Sequence, residues 1–158
     1  MKTWFILVAS LAAQPVLAHP ASEHGTAVDN ETAAVTAVLS AYKSAVERLD
    51  ASSTERLFTA DSAIFESGGV EGTYSNYLVH HLAPELKEFK RFAFSNYRIS
   101  VRFEGSLALA TESYNYRIET KAGEIAERVG VATSVLKKVG GQWKIASMHN
   151  SSRRPAAR

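Results

Sequence analysis

The sequence predicts an α+β domain in which three helices pack against a curved antiparallel sheet. Apolar residues recur at helical spacing in the first half of the chain, and four strand-like segments joined by short glycine-containing turns fill the second half. Helices followed by antiparallel strands are typical of α+β domains. The last strand also passes from apolar to polar residues, which indicates a pocket at the end of the sheet.

The N-terminal residues have the pattern of an export signal. Lys2 precedes an apolar run, and Val16-Leu17-Ala18 resembles a cleavage site, so we expect a secreted or periplasmic protein cleaved near Ala18. The run is too short for a membrane span, so stable membrane insertion is not expected. The predicted parts are a signal peptide (1–18), a flexible leader (19–29), one folded domain (30–153) and a basic tail (154–158).

Composition excludes several functional classes. The chain has 158 residues and a formal net charge of +2, without a basic stripe interleaved with aromatic residues, so nucleic acid is not an expected partner. It contains no cysteine, which excludes disulfides, thiol catalysis and thiolate metal sites. The length suffices for a single sizeable core.

Three helices are predicted from apolar periodicity and capping residues. The first begins at Asp29 or Asn30 and ends at Asp50. Ser52 or Ser53 caps a short second helix that runs through Phe58. The third helix extends from Tyr74 to about Phe89, and Pro84 should kink it near Ala83. The apolar stripe of the first helix consists of Val35, Val38, Leu39, Tyr42, Ala45, Val46 and Leu49.

The strands are predicted from short runs bounded by glycine turns. A first strand over residues 63–67 stops at Gly68-Gly69, before the third helix. Tight turns between the later strands imply an antiparallel meander. Those later strands cover residues 92–103, 107–119, 124–138 and 142–151.

The last strand supplies a candidate histidine. Side chains alternate along a strand, so Trp143, Ile145, Ser147, His149 and Ser151 fall on one face. A face that begins with Trp and Ile and ends with polar residues runs from a core into a polar site. We therefore predict that His149 faces a pocket, with Trp143 and Ser151 in the wall; a hydrogen-bonded wall histidine is the alternative.

Two further candidates lie on the first strand and the third helix. Glu66 precedes the Gly-Gly turn, and a carboxylate in an apolar pocket can move protons; a rim ion pair is the alternative. His81 lies within about 60° of the inward stripe of the helix, whereas His80 points away. Glu85 follows His81 by four residues and can share its helix face. Glu112 shares a strand face with Tyr114 and Tyr116, which we interpret as structural.

These candidates allow two kinds of chemistry. Glu66, His149 and one of His80 or His81 form a set of two histidines and one carboxylate, which suits a divalent metal such as zinc or copper. The same set can act as an acid–base group, because histidine titrates near neutral pH. We expect the domain to bind or act on a small molecule in its pocket.

The order of elements resembles the nuclear transport factor two-like superfamily, which includes SnoaL-like cyclases and ketosteroid isomerases. The residues that carry it lie in 45–50, 57–63 and Gly72, and in Trp143-Lys144-Ile145 with His149 and Ser151. The resemblance covers roughly residues 31–153 and implies a cone-shaped, cystatin-like α+β barrel.

The resemblance also implies roles for two residues. Tyr42 stands eight residues before Asp50, as the oxyanion-binding tyrosine of the isomerases does, and Glu66 stands eight after Phe58, like their catalytic aspartate. It implies isomerase, cyclase or hydrolase-like chemistry on a small molecule. The alternatives are a non-catalytic module that binds a ligand or metal, and a homodimeric interaction domain, because the fold hosts all of these.

Overall fold

The computed structural model describes residues 22–156; the predicted signal peptide and the first leader residues lie outside this range. Two helices and six strands follow one another along it. Helix α2 (residues 74–88) consists of α-helical Tyr74–Tyr77, π-helical Leu78–Leu82 and α-helical Ala83–Glu88. The other elements are α1 (Ser22–Glu47), a 3₁₀ turn (Glu55–Leu57), β1 (Phe58–Glu66), β2 (Gly69–Gly72), β3 (Phe89–Glu104), β4 (Leu107–Thr120), β5 (Ile125–Val139) and β6 (Gln142–Arg153).

The strands of the described residues form one curved sheet in the order β2-β1-β6-β5-β4-β3. Strands β3 to β6 form the predicted antiparallel meander. One pair differs from the expected antiparallel pattern, because β1 runs parallel to β6. The chain can make this pairing because helix α2 and the meander separate the two strands in sequence.

Helix α1 packs its predicted apolar stripe against the sheet, and Val35, Leu39 and Val46 are buried. It begins at Ser22 instead of Asp29 or Asn30. Residues 22–29 extend the helix because adding a turn to an existing helix costs less than starting one, and Gly25 opposes this by only about 1 kcal/mol. No helix within residues 22–156 is long and apolar enough to cross a membrane.

The predicted second helix is wrong, so the described residues contain two helices instead of three. Only a 3₁₀ turn forms at Glu55–Leu57, and the N–H of Leu57 donates to the carbonyl of Thr54 at 2.9 Å to close it. Phe58 already belongs to β1 and pairs with Ile145 of β6. Tertiary strand pairing therefore overrides the local helical pattern.

Tyr74 anchors the start of helix α2 in the core. Its ring stacks on Phe58 with centroids 3.5 Å apart, and its hydroxyl donates to Thr54 Oγ1 at 2.6 Å. Its backbone N–H donates to Ser62 Oγ at 2.9 Å, while Thr73 caps the helix through Asn76. These bonds fix where α2 leaves the sheet and thus where its next turns lie.

Candidate functional site

A cavity of about 130 Å³ lies between the two helices and the inner face of the sheet. Eight aromatic side chains of residues 22–156 line it. Tyr42 of α1 and Tyr77 of α2 line it from the helical side. Strands β3 and β4 contribute Phe89, Phe92, Phe94, Tyr97, Tyr114 and Tyr116. Three carboxylates, Glu66, Glu85 and Glu112, also line it, which makes it a largely apolar cavity with a few polar groups.

Glu66 stands at the end of β1, where a two-residue hairpin loop turns the chain into β2. Ser67 and Gly68 both adopt positive φ values, 48° and 94°, as the tight hairpin turn requires. The Tyr77 hydroxyl donates to Glu66 Oε2 at 2.8 Å. The turn and this hydrogen bond hold the carboxylate at the cavity wall, as the sequence predicted for its placement.

His81 lies among three carboxylates, two of which, Glu66 and Glu85, line the cavity. Its Nε2 is 3.7 Å from Glu66 Oε2 and 3.3 Å from Glu85 Oε1, and its Nδ1 is 3.6 Å from Glu71 Oε2. The imidazole stacks on the Tyr77 ring at 5.1 Å. Burial raises the pKa of Glu85; His81 opposes this rise and the charge of Glu66 adds to it.

A π-helical turn gives His81 this position. The N–H of Ala83 bonds to the carbonyl of Leu78, five residues earlier, and the next residue, Pro84, has no N–H to donate. The expected irregularity therefore precedes the proline. His80 is exposed and His81 is half-buried, in the orientations that the sequence predicted.

The predicted inward face of β6 is wrong at His149. Leu136 of β5 pairs with Ile145, but Val135 pairs with Ser147, so one extra residue, Ala146, forms a β-bulge. An extra residue reverses the alternation of side chains. Met148, which the simple alternation places outside, is buried instead.

His149 consequently lies on the outer face of the sheet. It is exposed, and its ring contacts Phe65 edge-on with centroids 6.3 Å apart. Glu66 is on the inner face next to Asn150, its partner in β6. His149 and Glu66 therefore point to opposite sides of one sheet, and the predicted trio does not assemble.

This arrangement does not bring the predicted metal ligands together. Within residues 22–156, no three histidine, aspartate or glutamate side chains are arranged to hold a metal ion. His80 is exposed and His149 faces outward, so neither joins Glu66. Zinc or copper binding stays a prediction that no described cluster supports.

The two wall residues predicted on β6 differ in placement. Ser151 lines the cavity. Trp143 is buried but lies near the other end of β6, where its Nε1–H donates to Glu31 of α1 at 2.6 Å and its ring packs on Phe103. Trp143 therefore joins α1 to the sheet and is not part of the cavity wall.

Glu112 is a functional candidate that sequence reasoning undervalued. It is only 5% exposed, and the Tyr97 hydroxyl donates a short hydrogen bond to its Oε1. Burial raises the pKa of Glu112, against a smaller opposing effect of the Tyr97 hydrogen bond. The signal was available, because Glu112 follows Ala108 and Ala110 at even spacing on the buried face of β4.

The raised pKa of Glu112 predicts a pH-dependent stability difference. The folded protein holds this proton more tightly than the unfolded chain does, so folding stability falls as pH rises from the unfolded pKa towards the folded one. Glutamine at this position does not titrate, so Glu112→Gln does not lose stability over this pH range. We expect the melting temperature of Glu112→Gln, relative to wild type, to be higher at pH 7 than at pH 4. An equal difference at both values, measured by thermal melts, would contradict the assignment.

Tyr42 and Lys43 complete the polar groups on the helical side. Tyr42 packs edge-on against Phe58 with centroids 5.4 Å apart. Burial, followed by the nearby Tyr77, Tyr74 and Glu66, raises the pKa of its hydroxyl well above the ordinary value, so it stays a neutral donor. Lys43 pairs with Glu47 at 2.6 Å, which balances its charge.

Comparison with known proteins agrees with this architecture. A family model described as the SnoaL-like domain matches residues 35–155. A proposed dehydratase of the NTF2-like family from Streptomyces avermitilis superposes with a TM-score of 0.69 at 20% identity, over 80% of this chain and 99% of that one. A proposed ketosteroid isomerase from Shewanella frigidimarina gives 0.63 at 23%, over 72% and 91%.

A protein with a cystatin-like fold from Caulobacter vibrioides gives a TM-score of 0.64 at 18% identity, over 78% of this chain and 90% of that one. No curated protein sequence matches the chain. At these identities the structural matches show the fold. They confirm the predicted cystatin-like architecture, and the SnoaL-like family model supports the resemblance drawn from the sequence.

Proposed function

Because this chain belongs to the SnoaL-like domain family, we propose that it moves protons on a small ring-containing carbonyl compound held in its cavity. The observation that carries the proposal is the placement of Glu66. Its carboxylate is held by the Tyr77 hydroxyl at 2.8 Å in the wall of a largely apolar cavity. A positioned carboxylate of this kind is suited to general base catalysis.

Removal of a proton from the substrate leaves a negative charge on its carbonyl oxygen. Neutral hydrogen-bond donors in the cavity can stabilise that charge. The buried Tyr42 hydroxyl keeps its proton, since its pKa is raised. Burial raises the pKa of Glu112 above that of an exposed carboxyl, and a protonated Glu112 would have a hydrogen to donate. Donors in a site that excludes water stabilise an oxyanion more strongly than water does. We assign Tyr42 and Glu112 to the carbonyl oxygen of the substrate.

The proposed reaction begins when Glu66 takes a proton from the carbon next to the carbonyl. The electron pair of the broken C–H bond forms an enolate, whose oxygen accepts hydrogen bonds from Tyr42 and Glu112. In a β,γ-unsaturated ketone, return of that proton from Glu66 to the γ-carbon gives the conjugated isomer. In a β-hydroxy ketone, the enolate electron pair forms the carbon–carbon double bond, and the β-hydroxyl takes the proton from Glu66 and leaves as water. The neighbours described above include proteins proposed for both outcomes.

His81 supports this chemistry through its contact with Glu66. Its Nε2 lies 3.7 Å from Glu66 Oε2, which is too long for a direct hydrogen bond. A small side-chain movement or a bridging water molecule can connect the two groups. With its side chain about one-third exposed, it links the carboxylate to solvent. We assign His81 to proton exchange between Glu66 and bulk water.

The proposal is tested with 3-cyclohexen-1-one, a ketone of one six-membered ring. We expect the protein to speed its conversion to 2-cyclohexen-1-one, followed by ultraviolet absorbance, and to speed exchange of its α-hydrogens in D₂O, followed by NMR. Binding of the ketone without either reaction would favour the alternative, a non-catalytic ligand-binding module.

Export and assembly stay predictions alongside this function. The signal at residues 1–18 lies outside the described part of the chain, and homodimerisation would use surface that a single chain leaves exposed. Val131 and Ile125 of β5 are such exposed apolar side chains. Neither prediction alters the chemistry assigned to the cavity.

A further inference from the structure

One glycine in the middle of β5 lies under an aromatic ring of the cavity wall. Gly130 pairs with Tyr114 of β4 and is buried. A Cβ atom built on Gly130 would lie 2.9 Å from Tyr114 Cδ2 and 3.0 Å from Cζ, and closer still to Cε2. Side chains do not approach each other this closely, so the ring occupies the space that any other residue at 130 would fill.

This glycine is not needed for backbone conformation. Its φ lies outside the left-handed region, unlike that of the turn glycines such as Gly123 and Gly140. Glycine inside a strand weakens it unless something packs closely against the backbone. The ring of Tyr114 packs closely against the backbone here, which explains why residue 130 is glycine.

The ring of Tyr114 packs against other aromatic rings of the cavity wall. It stacks against Tyr97 with centroids 5.8 Å apart, and Phe94 meets it edge-on at 5.1 Å. The strand carrying Gly130 lies beneath it. All three aromatic residues line the cavity, so a ring pushed away from β5 moves into the cavity.

The cavity has little volume to lose. It measures about 130 Å³, whereas an apolar cavity of about 150 Å³ accepts benzene. If the Tyr114 ring moved further into this space, the cavity would therefore no longer accept a six-membered ring.

We propose that Gly130 and Tyr114 together set the ligand size of the cavity at one six-membered ring with an oxygen substituent. This inference rests on the proposed function in taking the cavity as the substrate site, and it narrows the substrate class to single-ring ketones and alcohols. Gly130 acts through Tyr114 and is a specificity-determining residue.

The test is a binding series with phenol and 2-naphthol, measured by isothermal titration calorimetry and amide NMR shifts. Wild type should bind phenol at least tenfold more tightly than 2-naphthol. Gly130→Ala should weaken phenol binding at least tenfold. Gly25→Ala is the matched control, because a Cβ there meets no atom within 4 Å, and it should bind phenol as wild type does.

A second variant tests the same assignment if Gly130→Ala does not fold. Tyr114→Leu should raise 2-naphthol affinity at least tenfold, and Gly130→Ala combined with Tyr114→Leu should regain phenol binding. Equal wild-type affinity for the two ligands, absence of phenol binding, or no change in either single variant would overturn the inference. The binding series does not measure catalysis. If the protein bound these ligands as expected but did not isomerise 3-cyclohexen-1-one, the proposed function would be overturned and the inference about ligand size would be kept.

Discussion

Glu66→Gln is expected to lower the rate of 3-cyclohexen-1-one isomerisation at least 100-fold, because general base catalysis contributes about 10²–10⁴-fold to such steps. Glutamine keeps the shape of the side chain and can still accept the hydrogen bond from Tyr77. It cannot take a proton from carbon. The melting temperature should stay within about 2 °C of wild type, as for substitutions that leave packing intact.

Glu71→Gln is the matched control for that variant. Glu71 also contacts His81, at 3.6 Å, but it does not line the cavity. Its rate should stay within about threefold of wild type, since a partly exposed ion pair has a small effect. A Glu66→Gln protein that keeps wild-type activity, or an equal loss in both variants, would remove Glu66 from the role of base.

Tyr74→Ala is expected to destabilise the protein by about 3–5 kcal/mol, the usual cost of deleting a buried aromatic ring. The ring is 1% exposed and stacks on Phe58, so its loss leaves a cavity at the junction of α2 with the sheet. Tyr74→Phe keeps the ring and removes the hydroxyl with its hydrogen bonds to Thr54 and Tyr42, and should cost about 1 kcal/mol. Urea denaturation followed by circular dichroism measures both.

The neighbouring Ser75 supplies the control for Tyr74. Ser75 is exposed in the same turn of α2, so Ser75→Ala should change the free energy of unfolding by less than about 0.5 kcal/mol. If Tyr74→Ala cost no more than Ser75→Ala, the stack and the hydrogen bond would not anchor α2, and the position of Tyr77 and His81 would need another explanation.

Features set by local spacing could be predicted from the sequence. The stripe of α1 follows from apolar residues every three or four positions and places Tyr42 towards the cavity. The Gly68-Gly69 signal ends β1 and leaves Glu66 at the cavity wall. The helical angle separates half-buried His81 from exposed His80. Each depends on contacts between residues near in sequence, where backbone geometry limits the outcome.

Features set by pairing between distant strands were decided only by the tertiary structure. Nothing in residues 142–153 marks Ala146 as a bulge, because the extra residue exists only relative to β5. That one residue places His149 on the outer face of the sheet and Asn150 on the face that lines the cavity. Likewise, the pairing of Phe58 with β6 replaces a predicted helix, and the value of Gly130 is visible only once Tyr114 lies above it.

The sequence by itself thus determined the fold class, the meander and the side of each early element that faces inward. The tertiary structure decided which late residues reach the cavity, made Glu112 a buried acid and excluded His149. The physical reason is the period of a strand: one residue of slip between two strands exchanges the faces of everything that follows.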